Sequence, residues 1–304
     1  MTSPQYLEKG DKVRIISTAR KVSESEVEPA IKQLKEWGLQ VELGENLFKS
    51  YHQFAGTEKE RIDDLQDALN EDKIKGVLCA RGGYGTAQLI PHTDFTKFYN
   101  KPKWIVGYSD ITVLHSYINQ ILDIETIHGS MPVNFEHNTK EALNSLKKAL
   151  FGEKNEYSIT PHAFNQPGYV QSQITGGNLS ILHNLTGTYL SVNTNDKILF
   201  IEELDEYLYH IDRMMMNLEL SGILKNLKAV VVGGMTDMND NKVPYGQTAE
   251  EIITHRLSKY NYPVCFNAPI GHFKDNRAVI CGRETSLEIN ERRTFIEQRQ
   301  ENKE

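Results

Sequence analysis

Ser109 has the setting of an activated nucleophile. An apolar run at 104–106 leads into Gly107, the serine follows two residues later, and Ile111, Leu114, Ile118 and Ile121 start a helical pattern at once. A serine on such a strand-to-helix turn is pushed out of its sheet, with its Oγ exposed and the amides of the helix start available to an oxyanion. The pattern is not the nucleophile elbow G-x-S-x-G, because Ile111 stands where the second glycine belongs. The competing reading makes Ser109 a helix N-cap, with Asp110 in the first turn favoured by the helix dipole. A second feature, Arg81-Gly-Gly-Tyr-Gly85, directly follows the apolar run 76–80. Clustered glycines at a strand end allow positive φ and close approach of backbone amides to a ligand. Three readings stay open: an oxyanion-hole loop beside Ser109, a phosphate cradle, or a tight turn. The phosphate reading is the weakest, since Gln88 occupies the place of a third glycine and no Gly-Lys-Ser/Thr follows.

A serine needs a base, and the base needs a group to orient it. Among ten histidines, His272 stands out in Ala268-Pro-Ile-Gly-His272, after an apolar strand and a proline–glycine turn; His128, in Ile127-His-Gly-Ser130, is the other contender. Glu202 and Glu203 end the apolar run 197–201 and are the leading orienting acids. Metal chemistry is disfavoured, with no HExxH, no cysteine pair and no acidic metal loop. The methionines at 214–216 fall on a helical pattern and read as core. Cys79, Cys265 and Cys281 are odd in number and lie in apolar surroundings, which reads as buried thiols.

These residues must be positioned by an α/β fold. Strand-like runs at 12–17, 39–43, 76–80 and 104–106 alternate with helical patterns, one led by Thr57 with Glu60 three residues on, the form of a capping box. That alternation predicts an N-terminal parallel-sheet domain flanked by helices, over 1–155. The amide-rich stretch 156–173, with two prolines at its core, reads as a linker. A C-terminal β-rich mixed α/β domain is expected over 174–304, with buried strands at 198–201 and 229–232, a helix at 207–220, and a frayed charged tail from 291.

The 304 residues fit two ordinary domains. A net charge of −7 makes nucleic acid a poor partner. Neither a spanning apolar stretch nor a secretory h-region is visible, so the expectation is a cytoplasmic protein with no membrane partner.

Taken together, the motifs resemble the LD-carboxypeptidases, the muramoyltetrapeptide carboxypeptidase family of serine peptidases. The resemblance runs through Gly10-Asp11, Phe54-Ala-Gly56-Thr, Cys79 to Gly85, Gly107-Tyr-Ser-Asp110, His128-Gly-Ser-Met131, Gly176-Gly-Asn-Leu-Ser180, Phe200-Ile-Glu-Glu203, Tyr209-His-Ile-Asp-Arg213 and Gly271-His272. It implies a Ser109–His272–Glu202 triad lying between the two domains, with Glu203 where the family has another acidic residue. Oxyanion donors would fall on the amides of Asp110 and Gly83, the latter chosen over Gly82. Arg81 is a candidate for gripping a substrate carboxylate, since a guanidinium can do so bidentately. The implied activity is release of a terminal D-amino acid from an L-centre, as in a murein tetrapeptide, without a cofactor and in a homodimer. Two alternatives are a microcin C immunity-type peptidase cleaving aminoacyl-nucleotide amides, and a non-catalytic peptide- or nucleotide-binding module. Two departures, Thr18-Ala19 for a Pro-Ser pair and Phe273 to Arg277 for a proline-containing stretch, bear on the substrate cleft.

Overall fold

Apolar runs too short for helices, separated by amphipathic segments, build a sheet covered on both faces. The structure, a computed structural model, describes residues 1–298, and the chain divides into two units. The first unit takes Met1–Glu153 and Lys274–Ile280. Its elements are β1 (Lys12–Ile16), α1 (Glu24–Glu36), β2 (Gln40–Leu43), α2 (Glu58–Asn70), β3 (Ile74–Cys79), α3 (Thr86–Leu89), α4 (Thr96–Asn100), β4 (Trp104–Gly107), α5 (Thr112–Ile121), β5 (Thr126–His128) and α6 (Lys140–Phe151). A late segment, Val279–Cys281, is β11 in chain order and completes a sheet of order β11-β5-β4-β3-β1-β2. Pairings from β2 through β5 are all parallel. Every residue of β4 is buried, as a central strand between two helical layers requires. One core gathers Val27, Ala30 and Leu34 of α1 with Leu146, Ala149 and Leu150 of α6 against Trp104, Val106 and Ile127. The predicted capping box of α2 is present: the Glu60 carboxylate accepts from the Thr57 amide at 2.8 Å, and Thr57 Oγ1 accepts from the Glu60 amide at 3.3 Å.

The second unit takes Lys154–Phe273 and resumes at Cys281. It contains β6 (Asn155–Ile159), β7 (Gly168–Asn178), α7 (Leu179–Leu185), β8 (Ile198–Leu204), α8 (Leu208–Leu220), β9 (Ala229–Thr236), α9 (Ala249–Leu257), β10 (Val264–Cys265), β12 (Glu284–Ile289) and β13 (Thr294–Gln298). Its sheet runs β10-β9-β8-β7-β12-β13-β6. The β10–β9–β8–β7 side is parallel, and β7–β12–β13–β6 is antiparallel. The long β7 joins the two halves: residues 168–173 pair with β12 and residues 174–178 with β8. Ile211, Met214, Met215 and Leu218 of α8 and Ile252 and Ile253 of α9 cover alternate residues of β8 and β9.

Three stretches differ from the sequence expectations. The segment 156–173 is not a bare connection, since it holds most of β6 and the first half of β7. Its signal is the period of 2 in Asn155–Ile159, where buried and exposed residues alternate, disguised by polar residues on both faces. The stretch 274–280 belongs to the first unit, although the chain has by then passed through the second. From 291 the tail forms β13 against β12 and β6 rather than fraying, because Thr294, Ile296 and Gln298 are buried between its neighbours; residues 299–304 lie outside the described residues. Among the described residues no helix is long and apolar enough to cross a membrane.

Candidate active site

Strand β4 ends at Gly107, where a Cβ would lie 2.7 Å from Ile111 Cγ1, so only glycine lets the chain fold back this tightly. Ser109 follows with φ 62, a left-handed conformation that a non-glycine residue adopts at a cost of about 1–3 kcal/mol. It opens a 3-10 turn, Ser109–Ile111, that runs into α5. Ser109 does not cap the helix: the N-cap positions of the turn and of α5 are Tyr108 and Ile111, and neither carries a side-chain cap. Beneath the turn, buried His115 contacts Thr126 Oγ1 and the Gly107 carbonyl oxygen, each at 2.9 Å. Burial pushes its imidazole down to about 4, so it is a neutral spacer. Cys79 and Cys265 are buried thiols pushed up to about 12 by burial, and among the described residues no cysteine is in a disulfide.

The glycine loop lies against this turn. A Cβ on Gly82 would be 2.9 Å from Ser109 Cβ, 3.2 Å from Ser109 Oγ and 3.4 Å from the Asp110 amide nitrogen. The open side of Gly82, where a side chain would project, therefore faces Ser109. The Gly82 carbonyl oxygen accepts from the Arg20 amide at 3.4 Å. Across the trans peptide, the Gly83 N–H points the opposite way. Among the described residues neither the Gly83 nor the Asp110 amide donates a backbone hydrogen bond. The Asp110 carboxylate is only 1% exposed and accepts from the Thr86 amide at 2.9 Å, which ties the serine turn to the end of the glycine loop. Burial pushes this carboxyl above its ordinary range, against the Thr86 bonds and the charge of Arg61. Arg61, also buried, donates to the Thr18 carbonyl oxygen and to Gln88 Oε1. Arg81 is half-exposed and paired with Glu26 at 3.1 Å.

In the second unit, β8 delivers two adjacent carboxylates to opposite faces, where the β8–β9 register shifts between Ile201 and Glu203. Glu202 is 0% exposed, and its Oε2 lies 2.6 Å from His272 Nδ1. A carboxylate only accepts, so Nδ1 carries the proton and Nε2 is the basic nitrogen. Burial alone would lower the imidazole pKa, but the Glu202 charge and hydrogen bond outweigh it and raise it. Gly271 makes room for the pair, with φ +123 and a would-be Cβ 2.8 Å from Glu202 Cβ.

Glu203 faces away from that pair. Its carboxylate accepts from Asn178 Nδ2 at 2.8 Å and from the amides of Leu204 and Ser180 at 2.9 and 2.6 Å, pinning the start of α7 to the end of β8. Burial pushes it up to about 7, against the Leu204 bond and aided by the Glu202 charge. Unfolded glutamate titrates near about 4.3, so between the two values the folded chain binds more protons than the unfolded one. Stability present at low pH is thus lost as pH rises through 7, by about 3 kcal/mol. Between pH 5 and 8 the melting temperature of wild type should fall relative to that of Glu203→Gln. Parallel curves in a thermal melt series would refute this. The raised His272 pKa acts with the same sign but is present in both proteins.

Of the residues singled out from sequence, Ser109, Asp110, Gly83 and Arg81 stand together in the first unit, and Glu202 and His272 in the second. His128 is fully buried, its ring 5.8 Å from that of Tyr108. Sequence reasoning missed the facing of Gly82 and Ser109, the anchoring of α7 by Glu203, and the packing of the Arg20 stem across Gly83.

Two family models match the sequence: the LD-carboxypeptidase N-terminal domain over residues 13–129 and the LD-carboxypeptidase C-terminal domain over 171–287. A Bacillus subtilis (strain 168) protein named "Probable murein peptide carboxypeptidase" is 32% identical over 301 residues, covering 97% of this chain and 94% of its own. The crystal structure of muramoyltetrapeptide carboxypeptidase from Oxalobacter formigenes superposes with a TM-score of 0.87 at 26% identity, covering 94% of this chain and 98% of that one. A microcin C7 self immunity protein in complex with aspartyl sulfamoyl adenosine shares the fold, with a TM-score of 0.87 at 19% identity and 98% of each chain covered.

Proposed function

As the chain belongs to the LD-carboxypeptidase family of serine peptidases, we propose that it hydrolyses the amide between an L-configured centre and a terminal D-amino acid, releasing D-alanine from a murein tetrapeptide. The observation that carries the catalytic assignment is the buried 2.6 Å bond between His272 Nδ1 and Glu202 Oε2. It fixes one tautomer of an imidazole and holds its basic nitrogen ready. Ser109 is the nucleophile in this reading, and its strained φ of 62 is the conformation expected of a serine held out on a tight turn.

Ser109 Oγ attacks the scissile carbonyl carbon while His272 Nε2 takes its proton. The tetrahedral intermediate collapses as His272 returns that proton to the nitrogen of D-alanine, leaving an acyl-serine. Water, deprotonated by the same imidazole, then attacks the ester carbonyl, and the imidazolium returns the proton to Ser109 Oγ as the acid leaves. Uncommitted amides at Asp110 and Gly83 are the proposed oxyanion donors, an effect worth roughly 3–4 kcal/mol for one donor. The murein substrate is supported by the names of the Bacillus and Oxalobacter relatives.

The test is release of D-alanine from L-Ala-γ-D-Glu-diaminopimelate-D-Ala by wild type beside Ser109→Ala. Wild-type release is expected to disappear in the variant, with only about 10³–10⁴-fold acceleration over water remaining. A folded wild type that releases nothing would refute the murein assignment; turnover of an aminoacyl-sulfamoyl adenosine instead would favour the microcin-type reading.

A further inference from the structure

A carboxypeptidase must distinguish a free terminal carboxylate from a continuing chain, and three arginines lie on or against the loop that flanks Ser109. Two are committed. Arg61 is buried and bonded to Thr18 and Gln88, and Arg81 is paired with Glu26 on α1. Arg20 differs from both. Its backbone is fixed, with its amide donating to the Gly82 carbonyl oxygen at 3.4 Å and its carbonyl oxygen accepting from Ser17 Oγ at 2.7 Å. Its side chain is exposed, and among the described residues no hydrogen bond or ion pair engages its guanidinium.

The stem of Arg20 lies across Gly83. A Cβ on that glycine would be 2.7 Å from both Arg20 Cγ and Cδ and 2.9 Å from Nε, so any other residue there would displace the arginine. Gly82, one position earlier, is the residue against Ser109. The Arg20 stem therefore crosses the loop one residue after the glycine whose open side faces Ser109. A terminal carboxylate sits one residue beyond the scissile carbonyl, and consecutive Cα atoms are about 3.8 Å apart. A guanidinium in that place presents a fork that fits a carboxylate through two parallel N–H···O bonds, which lysine cannot reproduce.

We propose that Arg20 is the specificity residue that binds the α-carboxylate of the substrate's terminal D-amino acid, in place of Arg81. This rests on the LD-carboxypeptidase reading given above. The test compares the tetrapeptide with the same peptide ending in a carboxamide, measuring release of D-alanine and of D-alaninamide by wild type, Arg20→Ala, Arg20→Lys and Arg81→Ala, each checked for folding by thermal melting.

Wild type should prefer the free acid by roughly 100-fold in kcat/KM, the factor that charged hydrogen bonds supply. Arg20→Ala should raise KM for the acid far more than it lowers kcat, and its preference should collapse to within about threefold. Arg20→Lys should keep part of the preference, and Arg81→Ala should keep it whole. The assignment is overturned if Arg20→Ala retains the wild-type preference, if it loses both substrates equally, or if Arg81→Ala is the variant that erases the preference. A folded wild type inactive on both peptides would overturn the underlying reading and the assignment with it, a pattern distinct from the other three.

Discussion

Replacing Glu202 with glutamine is expected to lower kcat/KM for D-alanine release by roughly 10⁴-fold, the scale of removing an orienting carboxylate from a serine triad. Glutamine preserves the shape of the side chain but presents an amide that can donate to His272 Nδ1. That would place the ring proton on Nε2, the nitrogen that accepts from the serine in the proposed mechanism. The loss should fall on kcat, since a residue buried at 0% exposure and bonded to the imidazole has no route to ground-state binding. The residual activity should also titrate differently. Glu202 is what raises the His272 pKa against burial, so the acid limb of the pH–rate profile should move to lower pH in the variant. A variant within tenfold of wild type, or a larger loss in Glu203→Gln, would transfer the orienting role to the neighbouring carboxylate.

Gly271→Ala is expected to damage stability and catalysis together. At φ +123 an alanine carries backbone strain, and its Cβ would lie 2.8 Å from Glu202 Cβ and 2.9 Å from Oε2. The segment cannot retreat, because the Ile270 carbonyl oxygen accepts from the Gly234 amide at 2.8 Å and Gly233 packs directly on it. Strain and overpacking together amount to roughly 3–4 kcal/mol, a fall of about 6–16 °C in melting temperature. Activity assayed well below the melt should still fall at least about 100-fold, because the oxygen being crowded is the one that holds His272. A melting temperature within 2 °C of wild type (on a scale where about 1 kcal/mol moves it 2–4 °C) with full activity would refute this account.

Features visible in the sequence were those that follow local rules. The alternation of short apolar runs and amphipathic segments is set by burial on two faces, and Thr57 with Glu60 makes its cap from residues three apart. The serine turn was legible because Gly107, Ser109 and Asp110 fall within four consecutive residues. Features that depend on chain trajectory were not. Glu202 and His272 lie 70 positions apart, and composition alone left Glu203 and His128 as rivals; the hydrogen bond decides the pairing. Whether Gly82 or Gly83 touches Ser109 is settled by backbone angles that two identical residues do not reveal. Arg20 gave no signal because its position against Gly83 depends on the parallel pairing of β1 with β3, which sets the residues after each strand side by side. The 155–173 stretch misled because antiparallel strands with polar residues on both faces lose the hydrophobic contrast that marks a strand.

The return of residues 274–280 to the first unit orders events during synthesis. When residue 153 has left the ribosome, β5 is still an open edge, because its outer neighbour β11 lies in sequence beyond the entire second sheet. Ala278 and Ile280, members of the first core, are also absent at that point. At about 5–20 residues per second the gap lasts roughly 6–25 s. During that time the outer edge of β5, paired with β4 on its other side, is open over only three residues, Thr126–His128. So short an edge offers little template for a second nascent chain, which limits mispairing on polysomes while the rest is translated.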